Sequence, residues 1–64
     1  MKNILRELRK ERKLTQDDLA KALGVSRQTI NAIENDKYNP TLELAIRLAR
    51  FLKIPVEELF IAED

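Results

Sequence analysis

Cysteine and histidine are both missing from this 64-residue chain. That double absence removes the disulfide staple, the usual zinc sites, the thiol nucleophile and the imidazole general base together. Most familiar enzyme chemistry is thereby excluded. Long apolar runs are missing too: none approaches the roughly 18 residues of a membrane span, and the charged start Met1 to Lys13 lacks the apolar core of a signal peptide. The expectation is a soluble protein of the cytoplasm or nucleoid. Glycine occurs once and proline twice, 36% of residues are charged, and Leu, Ile and Ala supply most of the apolar content. Such a composition favours helix, and no window of Val, Ile or Thr alternates with polar residues as a half-buried strand would.

What is present fits one small domain, residues 1–64, with no linker, repeat or low-complexity segment. So short a chain needs an efficient core or one shared with a partner. Asn3 is placed to cap a first helix from Ile4 to about Arg12, with Ile4, Leu5 and Leu8 as its apolar stripe. Thr15 and Asp18 form a capping-box-like pair, so a second helix should start at Gln16, bury Leu19, Ala20 and Leu23, and close at Gly24. Ser26 is a second strong cap, and Ile30 and Ile33 mark the buried face of a third helix. Two helices joined through so short a Gly-containing turn cross steeply, as in a helix-turn-helix. The outer face of the third helix, Arg27, Gln28 and Asn31 with Thr29, Ala32 and Asn35, is mostly uncharged, unlike the Lys, Arg and Glu faces of its neighbours. After the turn Asn35 to Pro40, Thr41 caps a fourth helix with the stripe Leu42, Ala45, Leu48, Ala49, Leu52; Leu44 and Phe51 lie beside it. Pro55 suits the first turn of a short fifth helix containing Val56, Leu59 and Phe60, and Ile61 to Asp64 should fray.

The stretch LTQDDLAKALGVSRQTINAIENDKYNPTLELAIRLARFL resembles the Cro and phage-repressor type of DNA-binding domain, the Xre-like helix-turn-helix family. The matching features are Thr15-Gln16, Leu19-Ala20, the turn Leu23 to Ser26, Ile30, Ile33-Glu34-Asn35, Asn39-Pro40 and the Leu-Ala pattern of the fourth helix. With Leu8-Arg9 upstream and Val56 to Leu59 downstream they span nearly the whole chain. The resemblance implies a compact all-α fold of five helices, a helix-turn-helix at about residues 15–35, and a third helix in the major groove of double-stranded DNA. Arg27, Gln28, Asn31 and Ala32 then read bases: Gln28 suits adenine, Arg27 guanine or a phosphate, and the Ala32 methyl group thymine. Gln16, Ser26, Thr29, Asn35, Lys37 and Tyr38 contact or position phosphates. The resemblance also has Gln16 bracing Gln28, and Arg9 and Glu34 joined in a partly buried ion pair. Where relatives carry Glu-Asn-Gly-Lys, this chain has Glu34-Asn35-Asp36-Lys37, which replaces a residue free to be left-handed and adds a negative charge near the DNA backbone.

Plainer readings stand beside these. Arg27, Gln28 and Asn31 are also compatible with a solvated helix face, and Thr29 with a packing role. Glu57, Glu58, Glu63 and Asp64 read as a solvated acidic end rather than a hydrolytic carboxylate pair, and Asp17 and Asp18 as helix-start stabilisers rather than metal ligands. The functional expectation is a transcriptional regulator, a repressor by the resemblance, binding a near-palindromic operator as a homodimer through Leu44, Phe51, Val56, Phe60 and Ile61 or a subset of them. Those five residues could equally close the domain's own core. The rivals are an antitoxin or other protein-binding module, a helical scaffold that has lost DNA binding, and, last, an enzyme. No metal, cofactor or small-molecule effector is implied. The net charge of +1 conceals a division: residues 1–13 sum to +4 and residues 54–64 to −4. In the family the first helix lies toward the DNA backbone and the acidic end away from it.

Overall fold

The computed structural model describes residues 1–62, and three of its helices start where a short polar side chain satisfies a first free amide. The elements, in order, are β1 (Lys2–Asn3), α1 (Leu5–Glu11), α2 (Gln16–Leu23), α3 (Arg27–Glu34), α4 (Leu42–Leu52), α5 (Val56–Leu59) and β2 (Phe60–Ile61). The Thr15 hydroxyl accepts from Asp18 N while Thr15 N donates to the Asp18 carboxylate, both at 2.9 Å, completing a reciprocal capping box. Ser26 and Thr41 accept in the same manner from Thr29 N at 3.1 Å and Leu44 N at 3.2 Å.

The first four helices also end alike. In each, the amide of a left-handed residue and the amide after it turn back to the last helical carbonyls, as in Lys37 N to Ala32 O at 2.9 Å and Val25 N to Ala20 O at 3.0 Å. The left-handed residue is Lys13, Gly24, Asp36 or Lys53, with φ of 57°, 70°, 57° and 59°. Only one of the four is glycine. Cations add to three of these ends: Arg47 Nη2 donates to Leu23 O at 2.8 Å, and the Arg12 guanidinium donates to Leu8 O and Leu52 O.

One core receives a side chain from every helix. Leu5 and Leu8 meet Leu19, Ala20 and Leu23, Ile30 and Ile33 close it from α3, and Leu44, Leu48, Ala49 and Leu52 cover it from α4, with Leu59 beneath. Ile4, Val25, Ile54, Val56 and Phe60 pack around its edge.

The structure departs from the sequence expectations at three places. Asn3 is not the cap of the first helix, because its backbone pairs with Phe60 and Ile4 takes the capping position without a side-chain bond; Asn3 Oδ1 still accepts from Leu5 N at 3.1 Å. Ile61 is not frayed. It pairs antiparallel with Lys2, and the Ile4 N to Leu59 O bond of 3.1 Å continues that closure of the two chain ends, so Phe60 leaves the fifth helix for β2. The stripe of α4 is led by Leu44, 9% exposed, and not by Leu42, 73% exposed. Leu44, Leu48 and Leu52 recur every fourth residue on one face, with Ala45 and Ala49 beside them, whereas Leu42 opens the helix on another flank. Glu63 and Asp64, half of the expected acidic end, lie outside the described residues.

A helix-turn-helix face with a buried ionic hub

Arg9 and Glu34 form the polar centre of the domain. Arg9 Nε donates to Glu34 Oε2 at 2.6 Å and Nη2 to Oε1 at 3.1 Å, a two-bond fork that fixes α1 against the end of α3. Arg9 Nη1 also donates to Leu14 O at 2.8 Å, tying down the turn before α2. Oε1 accepts from Gln16 Nε2 at 3.1 Å and from Arg6 Nε at 3.3 Å as well. The Glu34 side chain is fully covered, so its charge depends on these donors. Burial is the largest single influence and works to raise its pKa, yet the bonds from Arg9, Gln16 and Arg6 and the nearby Arg9 charge together hold it below 4.5, its ordinary value. Arg9 is shifted the other way, chiefly by its bond to Glu34, so both groups are charged at neutral pH. No buried side-chain polar atom among the described residues lacks a partner.

This hub is the mount for the outer face of α3. Arg27, Gln28 and Asn31 are exposed, with Ala32 and Thr29 half-buried beside them. The Ser26 and Thr29 hydroxyls lie 3.0 Å apart and bond to each other, which makes them part of the helix start. Asn35 is exposed at the end of the helix, followed by exposed Lys37 and Tyr38. Asp36 adopts the left-handed conformation expected of glycine, and Asn3 Nδ2, which donates to Ile33 O at 2.9 Å, also donates to the Asp36 carboxylate at 3.1 Å.

Gln16 does not brace Gln28. Its amide donates to Glu34 and lies 3.5 Å from Asn31 Oδ1, since a buried carboxylate is a stronger acceptor than a neutral amide. Arg27 and Gln28 make no side-chain hydrogen bond among the described residues and keep all their donors and acceptors for an outside partner.

The expected association residues do not form one surface. Leu44 belongs to the core and leaves that set, because it heads the buried row of α4. Phe51 is 43% exposed, but it lies nine residues from Leu42, about half a turn round a helix of roughly 3.6 residues per turn. Val56 and Phe60 line an open apolar groove of about 350 Å³ together with Met1, Pro40, Leu42, Ala45 and Ala62. Ile61 is exposed nearby in sequence. Leu42 and Ile46 are exposed four residues apart on one flank of α4; the sequence suggests Leu42 for the buried stripe and does not mark Ile46.

A capped helix, a three-residue turn and a second capped helix with a free polar face define a helix-turn-helix domain of the DNA-binding kind. The helix-turn-helix family profile matches residues 5–59. An uncharacterized HTH-type transcriptional regulator of Methanocaldococcus jannaschii is 56% identical over 64 residues, covering 100% of this chain and 97% of that one. The cryptic phage CTXphi transcriptional repressor RstR of Vibrio cholerae is 40% identical over 55 residues, which are 86% of this chain and 50% of the repressor. Among solved structures, the restriction-modification controller protein C.AhdI of Aeromonas hydrophila superposes with a TM-score of 0.79 at 38% identity, covering 88% of this chain and 85% of the controller. The chain belongs to the Xre/Cro-like helix-turn-helix family and is a DNA-binding transcriptional regulator, not an enzyme. No helix among the described residues is long and apolar enough to cross a membrane.

Proposed function

We propose that this domain, residues 1–64 acting as one unit in the cytoplasm, is a repressor that reads a two-fold symmetric operator as a homodimer. The observation that carries the reading is the state of α3: Arg27 and Gln28 stand free directly after the Ser26 cap, on a helix held rigidly by the Arg9–Glu34 fork. Arg27, Gln28, Asn31 and Ala32 face base edges, and Lys37 and Tyr38 face phosphates, with Gln16 and Asn35, whose amides are engaged within the domain, holding Asn31 in place and Ser26 and Thr29 shaping the helix start. The repressor among its relatives supports the same direction of control.

Size supports the dimer. The longest dimension of the domain is 32 Å, and recognition helices on successive half-sites stand about 34–36 Å apart, so one copy engages one half-site. The apolar groove supports a second copy as its cover: exposed Leu42 and the more covered Ala45, Val56 and Phe60 line one surface, which can supply both a knob and a hole, as a two-fold interface requires.

Selection of bound sequences from random duplex DNA tests the proposal. It should return a motif with two-fold symmetry that persists at raised salt. Recovery of no motif, or binding abolished by modest salt, would contradict it.

A further inference from the structure

The amide of Asn35 is locked by two neighbours of fixed polarity. Its Oδ1 accepts from Arg6 Nη2 at 2.8 Å, and its Nδ2 donates to the main-chain oxygen of Asn31 at 2.9 Å. A guanidinium only donates and a carbonyl only accepts, so Asn35 cannot turn over without losing both bonds. In this orientation the same Nδ2 donates to Asn31 Oδ1 at 2.7 Å. Gln16 Nε2 approaches that oxygen at 3.5 Å. An amide oxygen has two lone pairs, and two donors lie within 3.5 Å of this one. Asn31 is left with its Nδ2 hydrogens to present outward.

We infer that the relay from Arg6 through Asn35 makes Asn31 a donor-only reader, with Arg6 as the positioning residue that sets its polarity. The inference rests on the reading of α3 as the recognition helix. An unconstrained asparagine pairs bidentately with adenine, accepting from N6 and donating to N7. With its oxygen already engaged, Asn31 gives up the first of these bonds. It selects instead a base whose major-groove edge offers acceptors, guanine through N7 and O6 or thymine through O4, and it disfavours the amino groups of adenine and cytosine. Specificity at that position is then written in α1, outside the helix that touches DNA. Arg6 suits a positioning role because its Nε is anchored on Glu34 at 3.3 Å while its side chain remains 43% exposed, so replacing it leaves no hole in the core.

The test repeats the random-duplex selection with wild type, Asn31→Ala, Arg6→Met, Arg6→Lys and Asn35→Asp, each checked for native folding by circular dichroism. Asn31→Ala identifies the base position concerned. Wild type should favour guanine or thymine there over adenine by about three- to tenfold, the range of one hydrogen bond. Arg6→Met keeps the aliphatic stem but not the donors, and should lose that preference; Arg6→Lys, which still donates, should restore it. Asn35→Asp offers only acceptors, so Asn31 should turn its amide over and the preference should move to adenine or cytosine, whatever the fate of the Arg6 variants. Three results would overturn the inference while leaving sequence-specific binding intact: adenine favoured by wild type at that position, no position altered by Asn31→Ala, or the wild-type motif retained by both Arg6→Met and Asn35→Asp. Recovery of no motif by wild type would instead overturn the function proposed above, and this inference with it.

Discussion

Glu34 is covered on every side-chain atom and yet ionised, a combination that stands only while its donors stay in place. Removing the carboxylate leaves the Arg9 guanidinium largely buried without its partner, which costs about 3–5 kcal/mol in such pairs. Glu34→Ala should therefore lower the free energy of urea unfolding by an amount in that range, while Glu57→Ala, at an exposed position of α5, should change it by less than about 0.5 kcal/mol. Equal effects would mean that the fork is ornamental. The same residue gives the domain an acid slope. The folded pKa lies below the unfolded one, so the stabilisation is complete above 4.5 and is lost as pH falls from there through the depressed value. Exposed Asp18, also lowered by its bonds to Thr15, titrates in the same direction. Stability measured between neutral pH and pH 3 should fall more steeply in wild type than in Glu34→Gln, and parallel curves would assign the slope elsewhere. The pair itself was legible only through the family resemblance, since nothing in the spacing of Arg9 and Glu34 brings them together; the third and fourth donors, Gln16 and Arg6, were not legible at all.

At the scale of the element, helix starts were readable and helix ends mostly were not. Thr15, Ser26 and Thr41 announce themselves because a short side-chain oxygen is what the free amides need. Of the four left-handed closures Gly24 carries a sequence signal of its own and Asp36 is marked by the resemblance, standing where relatives carry Gly; Lys13 and Lys53 adopt the same geometry with no sequence signal. This difference is measurable. A Cβ at Gly24 would meet nothing within 4 Å, so Gly24→Ala should cost only the left-handed strain, about 1 kcal/mol, or roughly 4–8 °C in Tm for a domain of this size. Lys53→Gly relieves strain of that kind and should leave Tm unchanged or raised, despite the greater flexibility of glycine in the unfolded chain. A fall in Tm on Lys53→Gly would show that the lysine side chain, not the backbone, closes α4. The two-residue strands lay beyond sequence reading for a different reason. Alternation cannot be recognised in two residues, and β1 and β2 exist because the core brings the chain ends together.

For the whole molecule, the near-neutral charge is less informative than its distribution and its uncovered surface. The fold pairs the basic beginning of the chain with its acidic end through β1 and β2, and the groove lined by Met1, Leu42 and Phe60 opens among residues from both ends and α4. If a second copy covers that groove, Leu42→Glu should shift the sedimentation mass to that of a monomer and weaken binding to the two-fold operator, whereas Phe51→Glu, on the opposite flank of α4, should retain both. The reverse pattern would move the interface to the other side of the helix. The fold class was readable because five amphipathic segments, their caps and the Leu23-to-Ser26 turn all pointed one way. The association surface was not, because Leu42 and Leu44 are indistinguishable until the helix has a defined orientation on its core.

The central claim is that α3 reads sequence while the loop after it grips the backbone. The most direct measurement is the affinity of Gln28→Ala and Lys37→Ala for a panel of single-base variants of the selected duplex across a range of salt. Gln28→Ala should lose discrimination at one base position, by about 1–3 kcal/mol, with an unchanged salt slope. Lys37→Ala should weaken every duplex about equally and reduce the slope by about one unit. The same pattern from both substitutions, or discrimination untouched by Gln28→Ala, would contradict the account.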